Sequence, residues 1–102
     1  MKDALTGTVE GTGAAINIQV GFVPSYVMVH NYDSAAPDTL EWFSGMTDGH
    51  ALKTTGSTRS KSTSLGISAY AGTEGGDGRG FTIGADTDVN VSAETIYWLA
   101  IR

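Results

Sequence analysis

The stretch Asp86-Thr87-Asp88-Val89-Asn90 sets oxygen-bearing side chains at alternate positions, as a calcium-binding loop does. Such a loop needs glycine at its sixth position and a bidentate glutamate at its twelfth, and this chain has Val91 and Tyr97 there. A polar turn is therefore expected. Gly75-Gly76-Asp77-Gly78-Arg79-Gly80 is glycine-rich like a phosphate loop, but it lacks the Lys-Ser/Thr ending and a following helix whose terminus could hold an anion. It reads as a hairpin loop. His30 and His50, the two imidazoles, stand neither in zinc-ligand spacing nor beside a serine in a nucleophile elbow. Asp33, Asp38 and Glu41 are close in sequence, yet paired-carboxylate chemistry depends on a separation that spacing along a strand does not set. Solvated surface acids are the simpler expectation. No catalytic, metal-binding or cofactor-binding residue is assigned, and a small hydrolase is disfavoured because no nucleophile stands with a base.

Composition agrees with a folded module that binds. The chain has 102 residues, 40% of them apolar, with 14 glycines and two prolines, which suits one globular domain with many turns. A net charge of −5 with six scattered Lys and Arg argues against nucleic acid as a partner. The absence of cysteine removes disulfides and thiolate zinc sites, which fits assembly in a reducing cell. Neither a signal-like start nor an apolar run of the ~20 residues needed for a membrane helix is present, so no membrane partner is expected.

The elements that would position any site are strands. Ala15-Ile16-Asn17-Ile18-Gln19-Val20 alternates, with Ile16, Ile18 and Val20 on one face. Leu5 to Val9 reads as an edge strand. Tyr26 to Tyr32 carries apolar groups on both faces and belongs centrally. After a loop from Asp33 to Asp38 that holds Pro37, Leu40 to Phe43 forms a short strand, Gly45 to Gly49 a turn, and Ala51 to Thr54 pairs back. Lys53 to Ser64 is nearly all Lys, Arg, Ser, Thr and Gly, and is expected to be an exposed loop. Ile67 to Tyr70 resumes strand character, Gly72 to Gly80 is a glycine-rich loop, and Phe81 to Ile83 begins a final pair closed by Thr95 to Arg102. No window shows the i, i+3, i+4, i+7 spacing of a long amphipathic helix. About eight short strands imply an all-β, antiparallel, jelly-roll-like β-sandwich. The two phrases Gly21-Phe22-Val23-Pro24 and Gly80-Phe81-Thr82-Ile83 differ too much in context to establish a duplication.

Trp42 and Phe43 are adjacent, so in a strand they point to opposite faces. Either the strand is buried on both sides, or one ring is exposed at a contact surface. The last strand places Ile96, Trp98 and Ala100 against Tyr97, Leu99 and Ile101 with almost no polar relief. That is more apolar surface than a sandwich of this size hides, and a homotrimer is expected, with Trp42, Phe43, Met46, Tyr97 and Leu99 as candidate interface residues. Exposed aromatic rings also stack on sugars, which keeps a carbohydrate-binding module open, with Tyr26, Tyr32 and Tyr70 as its further candidates.

The phrases Gly21-Phe22-Val23-Pro24-Ser25-Tyr26-Val27-Met28-Val29-His30-Asn31, Leu40-Glu41-Trp42-Phe43-Ser44-Gly45-Met46 and Gly80-Phe81-Thr82-Ile83-Gly84, with Asn90 and Tyr97-Trp98-Leu99-Ala100, resemble small β-sandwich proteins of tailed bacteriophage virions. These are head decoration (capsid cement) proteins and the related terminal domains of tail fibres. The resemblance covers about residues 15 to 102. It implies a non-enzymatic structural protein with no cofactor, a homotrimer on the outer surface of the capsid, assembled in the host cytoplasm and bound to the major capsid protein. Residues 1–13, the part that least matches, are expected as an N-terminal arm or edge strand, the resemblance implying an arm that touches the capsid with Leu5, Thr6, Val9 and Glu10 as candidate contacts, while 14–102 form the single sandwich domain. A tail-fibre, receptor-binding or carbohydrate-binding module is the alternative.

Overall fold

Alternating apolar residues need a pleated surface with one dry side, and strands of this kind make up most of the structure. The computed structural model describes residues 4–33, 38–72 and 78–102. Its strands are β1 (Ala4–Glu10), β2 (Ile16–Gln19), β3 (Tyr26–Asn31), β4 (Asp38–Phe43), β5 (His50–Thr55), β6 (Thr58–Tyr70), β7 (Gly80–Ile83) and β8 (Thr95–Ile101). All pairings are antiparallel, in the order β1-β8-β3-β4-β5-β6-β7-β2. The all-β antiparallel class is as expected. Two separate sheets are not: the strands form one continuous sheet that curls on itself. Its curl is evident where Phe81 on β7 meets Trp98 on β8 edge-to-face at 5.6 Å, although four strands separate them in the sheet.

The concave side of the curl is the core. Register stacks Ala100, Val27 and Trp42 in one row and Trp98, Val29 and Leu40 in the next. Ala51, Ile67, Phe81, Ile83, Val89 and Ile96 complete it, each fully buried or nearly so. Burying such an aliphatic side chain contributes roughly 1.5–3 kcal/mol. Trp42 is only 1% exposed, and its indole N–H has no acceptor, so this large ring stays inside by its apolar area alone. Gly7 on β1 is required by the same packing: a Cβ there would lie 2.6 Å from the Trp98 ring.

Three sequence expectations change. Lys53 to Ser64 is no loop: it belongs to a β5–β6 hairpin that turns at Gly56, whose φ of 59° suits glycine. Its Thr residues favour extended backbone, and with most of β6 from Thr58 to Leu65 exposed there is no dry face to leave an apolar signature. The β7 strand does not pair with β8; it lies between β6 and β2, and the segment after Ile83 crosses the end of the curl before β8 begins. Finally, Leu5, Thr6, Val9 and Glu10 do not project as an arm. They lie in β1, an edge strand paired along its whole length with β8. The first three residues of that expected arm, the residues 34–37 of the loop at Pro37, and the residues 73–77 of the glycine-rich loop lie outside the described residues.

Candidate functional site

The convex side of β8, β3 and β4 carries what the curl leaves in solvent. Because β3 and β8 pair with Met28 opposite Leu99 and His30 opposite Tyr97, the outward phases of both strands coincide. The row Ala4, Ile101, Tyr26, Phe43 lies beside the row Thr6, Leu99, Met28, Glu41 and then the row Thr8, Tyr97, His30, Thr39. Phe43 and Tyr97 are each 48% exposed, Ile101 is 37% exposed, and Tyr32 stands out further at 66%. Tyr26 packs on Phe43 with ring centroids 4.9 Å apart, and Tyr32 meets Tyr97 edge-on at 5.8 Å. A groove of about 470 Å³ runs over this face, lined mainly by Thr6, Thr8, Met28, His30, Tyr97 and Leu99.

The polar margin of the face is internally matched. The Tyr26 hydroxyl donates to Glu41 Oε2 at 2.7 Å, and Arg59 Nη2 donates to Glu41 Oε1 at 2.6 Å. Partial burial, then the bond to Glu41, pushes the Tyr26 hydroxyl up to about 12. The same bond, reinforced by Arg59 against the opposing effect of burial, holds Glu41 below its ordinary value. Both shifts move these groups away from the range in which a side chain exchanges protons at neutral pH. His30 Nδ1 is tied to the Thr39 hydroxyl at 2.8 Å.

A second polar group closes one end of the curl. Lys53 Nζ lies 3.0 Å from Asp86 Oδ2 and 2.7 Å from Asp88 Oδ2, so an ammonium fills the place between the carboxylates that the calcium comparison would give to a metal. Burial alone would lower the Lys53 pKa, but the hydrogen bonds to Asp88 and Asp86 outweigh it and raise it. Asp86 Oδ1 meanwhile accepts from the N–H groups of Asp88 and Val89, which makes the segment the polar turn expected. Asp38, 6% exposed, has one oxygen without a partner; burial, then the charge of Asp88, raises its pKa. Asn31 donates to the Val89 carbonyl and to Glu94. Among the described residues no three metal-ligating side chains stand together.

The structure separates the sequence-chosen interface residues. Phe43, Tyr97 and Leu99 share the convex face, whereas Trp42 points into the core and Met46 packs against it from the turn after β4. Leu5 and Val9 face inward on β1, while Thr6 and Glu10 face out. Of the rings named for sugar stacking, Tyr26 and Tyr32 lie on or beside the face, and Tyr70 ends β6, elsewhere in the sheet. Met28, Ile101 and His30 join this face although they are not among the interface residues expected from the sequence; the signal for them is the matching alternation of β3 and β8, which becomes informative once the two strands are known to pair. Comparison with family models, with curated proteins and with solved structures finds no match for this chain.

Proposed function

We propose that this chain is a non-enzymatic structural protein of a tailed-bacteriophage virion, a head decoration protein that docks on the assembled capsid through the convex face of β8, β3 and β4. The observation that carries the reading is the outward row of Ile101, Tyr26 and Phe43 beside Leu99, Met28 and Tyr97. Large apolar side chains gathered on one sheet face mark an interaction surface. The sequence resemblance to decoration proteins supplies the partner, the major capsid protein. A protein that binds the finished shell and not its free subunits stabilises that shell by mass action, which requires no chemistry from the chain.

Binding to expanded shells that lack the protein tests this. Stoichiometric, saturable binding is expected, and Phe43→Ser with Tyr97→Ser should weaken it at least tenfold while leaving the fold intact, since both side chains are about half in solvent. Absence of saturable binding by the unaltered protein would overturn the proposal. A second reading, a receptor- or glycan-binding tail component, is favoured by one feature: the exposed Tyr32 and Tyr97 rings beside His30 above the groove. A glycan array probed with the full chain separates the two.

A further inference from the structure

From the free edge of β1, we infer that the protein pairs with a second copy of itself, β1 against β1 in antiparallel register about Gly7, to make a two-fold dimer with one continuous sheet. Among the described residues, β1 makes its strand pairing with β8 alone and ends the sheet order. A seven-residue edge presents a row of backbone donors and acceptors, and stable monomers blunt such edges with charge, proline, a bulge or brevity. The other open stretches of this sheet are blunted. β2 is only four residues long, and the part of β6 that faces β5 alone carries Arg59 and Lys61 and ends at a register irregularity. From Ala4 to Val9, β1 has no charge, no proline and no break in register.

Its sequence is also complementary to itself. Ala4-Leu5-Thr6-Gly7-Thr8-Val9-Glu10 turned about Gly7 sets Leu5 opposite Val9, Thr6 opposite Thr8 and Ala4 opposite Glu10 of the second copy. The half-buried Leu5 and Val9 then meet on the concave side, the two threonines pair across the strands on the convex side, and no like charges oppose one another. Such an isologous contact uses the same patch on both subunits and closes on itself. Because the axis stands perpendicular to the sheet, the convex faces of both copies point to the same side. Two docking faces on one side bind a surface with avidity. The resemblance implies three-fold grouping; this edge supplies a two-fold one, made by the backbone border of β1 beside the groove that Thr6 and Thr8 help to line.

Exchange of charge across the predicted pairs tests it. Sedimentation of the unaltered protein should give twice the chain mass of 10.6 kDa. Thr6 and Thr8 are exposed, so Thr6→Lys with Thr8→Lys, and separately Thr6→Glu with Thr8→Glu, should fold normally, with melting temperatures close to the parent's. Each double variant alone should dimerise on the order of tenfold more weakly or less tightly still, because like charges face each other twice per dimer. Mixed together, the lysine and glutamate variants should form a one-to-one heterodimer, detected by native mass spectrometry. A monomer or a trimer for the unaltered protein, unchanged dimerisation of folded lysine variant, or no heterodimer in the mixture would each overturn the inference. Capsid binding is read on the unaltered protein and on Phe43→Ser with Tyr97→Ser, which leave β1 unchanged, so the docking proposal and this one fail independently.

Discussion

Asn90 joins two segments that have no strand pairing to each other, and its replacement by alanine should weaken the fold substantially. The side chain is 2% exposed and makes four hydrogen bonds. Its Oδ1 accepts from the N–H groups of Thr12 and Gly13 at 3.0 and 3.2 Å, and its Nδ2 donates to the carbonyls of Ala14 and Gly84 at 2.6 and 2.9 Å. It thereby ties the β1–β2 connection to the turn after β7. Thr12, Gly13 and Ala14 are exposed, so water can replace three of these bonds at about 0.5–1 kcal/mol each, while the Gly84 carbonyl, half-buried, loses its partner at about 1 kcal/mol. The expected cost is about 3 kcal/mol, which lowers the melting temperature by roughly 12 °C in a chain of this size. Urea unfolding followed by the fluorescence of the buried Trp42 gives the number directly, with an unchanged m-value. Asn90→Asp sharpens the test. A carboxylate still accepts from Thr12 and Gly13 but sets its charge against two carbonyl oxygens, so its folded-state pKa must rise and its penalty must shrink as the pH falls through that raised value towards the ordinary aspartate value, and level off below it. A loss below about 1 kcal/mol for Asn90→Ala would show that these four bonds do not hold the two segments together.

Gly7→Ala should cost about 1–3 kcal/mol by chemical denaturation, because the added methyl meets the Trp98 indole at 2.6 Å and the ring is held by Phe81. Ultraviolet titration should find Tyr26 near 12, and Glu41→Gln should bring it down part of the way towards the ordinary tyrosine value by removing the carboxylate beside it, while the rise due to burial remains. Glu41 sits below its ordinary 4.5, so it contributes stability above that pH and loses it as acid protonates the carboxylate; Glu41→Gln should flatten this part of the stability profile. Asp38 has the opposite sign. Its pKa is raised, chiefly by burial, so its charge weakens the fold at neutral pH and the penalty is relieved on acidification; Asp38→Asn should raise the melting temperature at pH 7 and leave it little changed in acid.

Local alternation carries much of this fold. The inward phase of Ile16 and Ile18, the central position of β3 and the two-sided character of β8 are all legible from residue order, because each strand has one side that must be dry. The hairpin arm after Lys53 was not, since a strand wet on both faces leaves no apolar period, and its Ser and Thr residues suit a loop equally well. Trp42 and Phe43 presented a choice that their own sequence could not resolve. The pairing of Trp42 with Val27, itself fixed inward, turns the indole into the core and the phenyl into solvent. The cluster of Lys53 with Asp86 and Asp88 joins residues more than thirty positions apart, 33 and 35, and no local pattern announces it. The docking face likewise emerges from register between β3 and β8, a long-range property.

The position of β8 bears on how the molecule is made. This strand is the eighth in chain order, yet it is inserted between β1 and β3. While the polypeptide is still being synthesised, the first strand therefore waits with no neighbour, and the sheet is divided at its second place until Thr95 to Ile101 emerges. Closure must follow translation of that segment, at the slow rate set by contacts distant along the chain. A ribosome halted before Thr95 would hold a nascent chain with two raw strand borders exposed, a target for chaperones and proteases.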